Sequence, residues 1–252
     1  MRTRIKICGV TDVDTAAAAV AAGADAVGLV FHPPSARHVE LAQAAAIAGA
    51  AGPFVATVAV LVNPDAATVR VIVKQVRPGY LQFHGEETDE FCAGFGVPYI
   101  KALRVKSGTG DGDLSAAAAE FPNARALLLD THRDGVYGGS GETFDWRRAA
   151  HDGARRRPLI LAGGLQADNV AAAIAQVRPF AVDVSSGVEV DGEAGRKDAD
   201  KIRAFCRAAA AADATVTAAA DSTVTDVARE TVTVDNTVTA ANTVDSTAAA
   251  PA

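Results

Sequence analysis

The chain has 252 residues, of which 49% are hydrophobic but only 5% aromatic, so alanine, valine and leucine must fill its core. It shows no apolar run of about 18 residues that would mark a membrane span, and MRTRIKICG lacks the features of a secretory leader. Most of the net charge of −6 lies in residues 208–252, where Asp213, Asp221, Asp226, Glu230, Asp235 and Asp245 face Arg229 alone, and the nearly neutral remainder offers no field for nucleic acid.

In chain order, Arg4–Ile7 is a β-prone run that ends in Cys8-Gly9, and Thr11 or Asp12 then caps an alanine-rich helix closed by Gly23. Ala26–Phe31 is a second apolar run, followed by the loop His32–Arg37 and a helix through Leu41–Ala51 that stops at Gly52-Pro53. Phe54–Val62 is the third strand, and Asn63-Pro64 opens a helix that reaches about Arg77, with proline in the first turn where its missing N–H costs nothing. Tyr80–Phe83, Tyr99–Leu103 and Arg125–Leu129 are further strands. A helix over Thr88–Phe95, a polar loop at Lys106–Asp113 and a second alanine-rich helix separate them. After Asp130 comes a glycine-rich loop, Thr131–Thr143, and a short helix at Asp145–Ala150.

The stretch from Pro158 to Glu189 then repeats one unit twice. Leu159–Ala162 ends in Gly163-Gly164, a helix opens at Asp168-Asn169 and closes near Arg178-Pro179, and Phe180–Val184 ends in Ser185-Ser186-Gly187. A last helix spans Asp198–Ala212. Strand then helix, eight times over, predicts an α/β fold, a single (β/α)8 or TIM barrel of parallel strands, rather than a doubly wound sheet. The barrel domain is expected over residues 1–207. Residues 208–252, rich in Ala, Thr, Val and Asp with Thr-Val-Thr recurring, are expected to form a low-complexity flexible tail, since they bury too little surface to offset ordering entropy.

In such a barrel the carboxyl ends of the strands carry the site. Backbone N–H groups at Gly163, Gly164, Ser185, Ser186 and Gly187 make a phosphate cradle after the last two strands, although small residues also simply permit tight turns. Strand alternation sets Arg4, Lys6 and Cys8 on one face, with Cys8 at the barrel mouth. Cys8 is a candidate general base if a cation such as Lys6 lowers its pKa, and an inert buried thiol otherwise. Asp130 is the candidate general acid if burial raises its pKa, or a turn cap. Asp183 lies on the strand that closes against the first, so a Lys6–Asp183 pair inside the barrel is expected. Arg37, stiffened by two prolines, is a candidate anion ligand or a surface arginine, and His84 is a site residue or a satisfied loop histidine. Three scattered cysteines argue against disulfides and for a reducing cytoplasm, and the five histidines lack metal spacing, so no metal is expected.

The segments KICGVT (6–11), GADAVGLVFHPPSARHV (23–39), LQFHGEE (81–87), LLLDT (127–131), YGGSGETFDW (137–146) and FAVDVSSGVE (180–189) resemble the phosphoribosylanthranilate isomerases of tryptophan biosynthesis. The resemblance runs through residues 4–207 and implies an Amadori rearrangement of N-(5-phosphoribosyl)anthranilate to 1-(2-carboxyphenylamino)-1-deoxyribulose 5-phosphate, with no cofactor. It matches Cys8 to the general base, Asp130 to the general acid and Arg37 to the arginine that engages the anthranilate. It also matches Gly163-Gly164 and Ser185-Ser186-Gly187 to the phosphate loops. A small-molecule substrate is implied, with no nucleic acid or membrane partner, for a cytoplasmic monomer or homodimer. The competing readings are another sugar-phosphate barrel, such as a ribulose-phosphate epimerase or the related histidine-pathway isomerase, and a catalytically silent barrel. The epimerase would need metal-binding histidines, and the histidine-pathway enzyme an aspartate where Cys8 stands.

Overall fold

Short apolar runs closed by glycine, proline or a carboxylate become strands, and the alanine-rich segments between them become helices. The computed structural model describes residues 2–104, 111–130 and 157–213. The strands are β1 (Arg4–Cys8), β2 (Ala26–Val30), β3 (Ala56–Leu61), β4 (Tyr80–Phe83), β5 (Tyr99–Arg104), β6 (Ala126–Asp130), β7 (Leu159–Ala162) and β8 (Ala181–Val184). They pair in parallel in sequence order, and β8 closes on β1. The helices are α1 (Val13–Ala21), α2 (Leu41–Ala51), α3 (Ala66–Val76), α4 (Asp89–Ala93), α5 (Asp111–Ala119), α6 (Val170–Val177) and α7 over 199–213. The predicted loop residues 106–110, the loop Thr131–Thr143, the helix Asp145–Ala150 and residues 214–252 lie outside the described residues.

Because successive strand residues point to opposite faces, the closed sheet has two apolar sides. Ile5, Ile7, Val27, Leu29, Leu61, Leu127 and Leu129 face outward onto helix residues such as Ala16, Ala44, Ile47, Val69 and Ile72. Val58, Ile100, Ala102, Ala126, Leu128, Ile160, Ala162 and Ala181 fill the barrel itself. Each fully buried Leu or Ile contributes roughly 1.5–3 kcal/mol. The two faces therefore fix the register, since a one-residue slip would exchange them.

Several boundaries differ from the sequence expectation, among them the loop predicted through Asp113, which gives way to α5 already at Asp111. Phe54 is 96% exposed and precedes β3, because the first ladder bond of this strand is Ala56 N–H to Asp25 O. Asp65 rather than Asn63 caps α3, accepting from Thr68 N at 2.7 Å, which leaves Pro64 outside the helix. Helix α4 ends at Ala93, and Phe91 and Phe95 instead pack on Phe83.

The closing helix α7 continues past residue 207. Ala209 and Ala212 are buried, and Asp213 accepts from both the backbone N–H and the hydroxyl of Thr3, the latter at 2.8 Å. This ties the last turn of α7 to the start of β1. A chain ending at residue 207 is expected to lose about 2 kcal/mol and some 4–8 °C in Tm relative to one ending at residue 213, as read by thermal melting of both.

Candidate active site

The carboxyl end of the barrel gathers the charged residues that alternation turns inward. Lys6 and Asp183 are direct register partners across the β1–β8 seam, and Lys6 Nζ donates to Asp183 Oδ1 at 2.8 Å. Both side chains are buried. Burial works against the Lys6 ammonium, but Asp183 and then Cys8 outweigh it and its pKa is raised.

Cys8 ends the same row, two residues above Lys6 and opposite Gly28 of β2. A Cβ at Gly28 would lie 2.8 Å from Cys8 Sγ and 3.2 Å from Lys6 Nζ, so the bare backbone of Gly28 is what makes room for the thiol and the ammonium together. Val30 and Val60 complete an apolar wall. The lowering of the Cys8 pKa that a neighbouring cation would bring is outweighed. Burial pushes the thiol up; Lys6 and Lys197 oppose this, Asp183 adds to it, and the net shift is upward. The sequence suggested a helpful cation but not how far Asp183 would neutralise it.

Lys197, which sequence reasoning passed over, has no exposed side-chain surface. Its Nζ donates to Ser185 O at 3.0 Å, to Ser185 Oγ at 3.3 Å and to Glu189 Oε1 at 3.0 Å. Glu189, also missed, receives Arg37 Nε at 2.7 Å and Nη2 at 2.8 Å, a two-point pair. Burial raises the Glu189 carboxyl, but Arg37 and Lys197 more than reverse this and hold it below the usual glutamate range. The stem of Arg37 crosses Gly9, where a Cβ would lie 2.6 Å from its Cδ, and Gly195 sits against Ala36 O. Arg37 is thus fixed at the rim.

Asp130, at the end of β6, is only partly buried, with about a quarter of its side chain exposed. The carboxyl is partly shielded and lies at hydrogen-bond distance from His84. His84 Nε2 lies 3.1 Å from Asp130 Oδ2, and Gln82 Nε2 lies 3.4 Å from His84 Nδ1. The His84 loop is held from behind: Glu87 accepts from Lys101 Nζ at 2.8 Å, from Asn63 N at 2.7 Å and from Gly85 N. The Glu87–Lys101 pair is buried and was also not anticipated.

The two small-residue turns meet directly. Gly163 and Gly164 have φ of 89° and 65°, which favour glycine. Asn169 Nδ2 bonds Gly164 O at 2.9 Å. Gly187 lies against Leu165 O so closely that a Cβ there would be 2.0 Å away. Ser186–Val188 forms a single 3-10 turn. Around the rim, β7 and β8 stand between β1 with Cys8 and β6 with Asp130, so the two turns occupy the arc between thiol and carboxyl. Among the described residues no group of His, Cys, Asp and Glu is arranged to hold a metal ion, and no helix is long and apolar enough to cross a membrane.

A closed parallel barrel whose carboxyl rim carries a thiol, a carboxyl–imidazole pair and charge-paired lysines defines a (β/α)8-barrel enzyme. The family model described as N-(5'phosphoribosyl)anthranilate (PRA) isomerase matches residues 5–208, and the chain belongs to that family. It is 52% identical over 205 residues to the N-(5'-phosphoribosyl)anthranilate isomerase of Pseudomonas syringae pv. tomato, covering 81% of this chain and 96% of the relative. The phosphoribosyl anthranilate isomerase structure from Thermotoga maritima is 41% identical with a TM-score of 0.72, covering 82% of this chain and 98% of that one. A phosphoribosyl anthranilate isomerase solved in complex with reduced 1-(o-carboxyphenylamino)-1-deoxyribulose 5-phosphate is 37% identical with a TM-score of 0.70, with the same coverage.

Two expectations follow from this geometry. Gly28→Ala should lower the unfolding free energy by about 1–3 kcal/mol in denaturant, because the new methyl crowds Cys8 Sγ and Lys6 Nζ. Lys6→Met and Asp183→Asn should each destabilise by about 3–5 kcal/mol, since each leaves one buried charge unpaired. The double variant should lose much less than the sum in denaturant unfolding; strict additivity would mean the pair is not coupled.

Proposed function

We propose that the chain catalyses the Amadori rearrangement of N-(5-phosphoribosyl)anthranilate to 1-(2-carboxyphenylamino)-1-deoxyribulose 5-phosphate, with Asp130 as general acid and Cys8 as general base. The observation that carries this reading is the arrangement of the rim, with a thiol and a carboxyl flanking an arc of two glycine turns and each held by its own polar partners. Asp130 gives its proton to the ribose ring oxygen as the bond from that oxygen to C1′ breaks. The anthranilate nitrogen supplies the electron pair, and the open chain is a protonated imine. Its positive charge acidifies the C2′ proton, which the Cys8 thiolate removes. The electrons of that C–H bond form the C1′–C2′ double bond and neutralise the nitrogen, and the resulting enol shifts its proton to C1′ to give the ketose. No cofactor takes part.

The remaining residues take roles that follow from their positions. Arg37, clamped by Glu189, engages the anthranilate carboxylate; Gly163, Gly164, Ser185, Ser186 and Gly187 receive the phosphate through backbone N–H groups. His84 orients Asp130 at hydrogen-bond distance, and Lys6 with Asp183 supports Cys8 from within the barrel. The partner is this small molecule alone, and the chain works as a monomer or homodimer.

The test follows the loss of phosphoribosylanthranilate fluorescence, with the labile substrate generated in situ, in wild type, Cys8→Ala and Asp130→Asn. Turnover in wild type and a fall of about 10²–10⁴-fold in each variant, with product-analogue binding kept, is the expected result. An undiminished Cys8→Ala would require another base, and an inactive folded wild type would overturn the reading.

A further inference from the structure

The mechanism above needs Cys8 as a thiolate in a place where burial disfavours one, and Lys6 is shared with Asp183. The charged groups around Cys8 are Lys6, two residues before it on β1, Asp183 of β8, the register partner of Lys6, and Lys197. Lys197 Nζ donates to Ser185, the residue after Val184, itself the register partner of Ile7; β2 and β3 present only Gly28, Val30 and Val60. Lys197 stands in the run Gly195-Arg196-Lys197-Asp198, and Arg196 beside it is exposed and pairs with Glu193 in solvent. Solubility therefore does not account for burying Lys197 completely, and an unpaired buried ammonium would cost several kcal/mol. Its partner Glu189 also serves Arg37, so one carboxylate is divided between two cations and the Lys197 charge is only partly neutralised. Burial weighs against the ammonium and lowers its pKa; Glu189 and then Cys8 favour the charged form.

We propose that Lys197 is a positioning residue for the isomerisation: its buried ammonium, seated on Glu189 and Ser185 beside the end of β1, is the second cation that favours the Cys8 thiolate against burial. The inference rests on the reading of Cys8 as the base. Through its bond to Ser185 O, the same ammonium seats the loop after β8, and through Glu189 it joins that loop to Arg37. One residue thus aligns three parts of the site.

The sign of the effect is defined. A nearby cation favours the ionised thiol, so removing it raises the pH at which Cys8 ionises. The experiment titrates the Cys8 thiolate by its ultraviolet absorbance, with Cys8→Ser as the blank, in wild type, Lys197→Met, Lys197→Arg and the double variant Lys197→Met/Glu189→Gln. The double variant removes both charges, so no buried carboxylate loses its lysine if the single variant folds poorly. Lys197→Met and the double variant should move the midpoint up by about one pH unit or more, and Lys197→Arg should restore it. The alkaline-going limb of kcat/KM should move with the midpoint. A midpoint unchanged within a few tenths of a unit in either folded Met variant overturns the proposal, whatever happens to turnover. The thiolate titration needs no substrate, so its failure is separate from that of the base assignment, which turnover of Cys8→Ala reads.

Discussion

Lys6 and Asp183 meet where the sheet closes, and much of the rim is built on that meeting. A parallel barrel must join its first strand to its last, and here the seam carries a buried ion pair at 2.8 Å between direct register partners. The pair makes the register at this seam electrostatically as well as sterically specific, because a slip would leave two charges buried without partners. With Lys6 fixed, Cys8 two residues on is fixed as well, and so is the need for Gly28 beside both.

The thiol then sits under opposing influences. Burial beside Val30 and Val60 favours the neutral form, and the two lysines favour the ionised one. Burial is the larger influence, so the thiolate is a form that the surrounding cations must sustain. A low-dielectric rim makes every charge there more effective, which is why a buried lysine matters more than its Coulomb term in water would suggest.

The loops are organised by the same device on both sides of the mouth. Glu87 with Lys101 anchors the turn that presents His84 to Asp130, and Glu189 with Lys197 anchors the segment that holds Arg37 and Ser185. Gly9 and Gly195 lie close against the Arg37 segment, and Gly187 close against Leu165 of the loop after β7. The chemistry-bearing groups are therefore carried on rigid strand ends backed by satisfied polar groups, the arrangement that preserves alignment.

By itself the amino-acid sequence determined the succession of eight strands, the helices between them among the described residues, the inward row that ends in Cys8, the carboxylate that closes β6 and the two glycine turns, because these depend on local periodicity and backbone preference. The Lys6–Asp183 pair was also legible, since alternation and closure place both residues on one interior face. Boundaries at Phe54, Pro64 and Ala93 were less legible, because ladder bonds, a single carboxylate cap and aromatic packing decided them. Lys197, Glu189, Gly28, Glu87 and Lys101 acquired meaning only in three dimensions. None has a local pattern that marks its role, whether in a strand, as Gly28 and Lys101 are, or outside one, and each gains that role from a partner far along the chain or on a neighbouring element. The direction of the Cys8 shift likewise belonged to the tertiary structure, since it is the balance of burial against charges brought together from β1, β8 and the segment beyond.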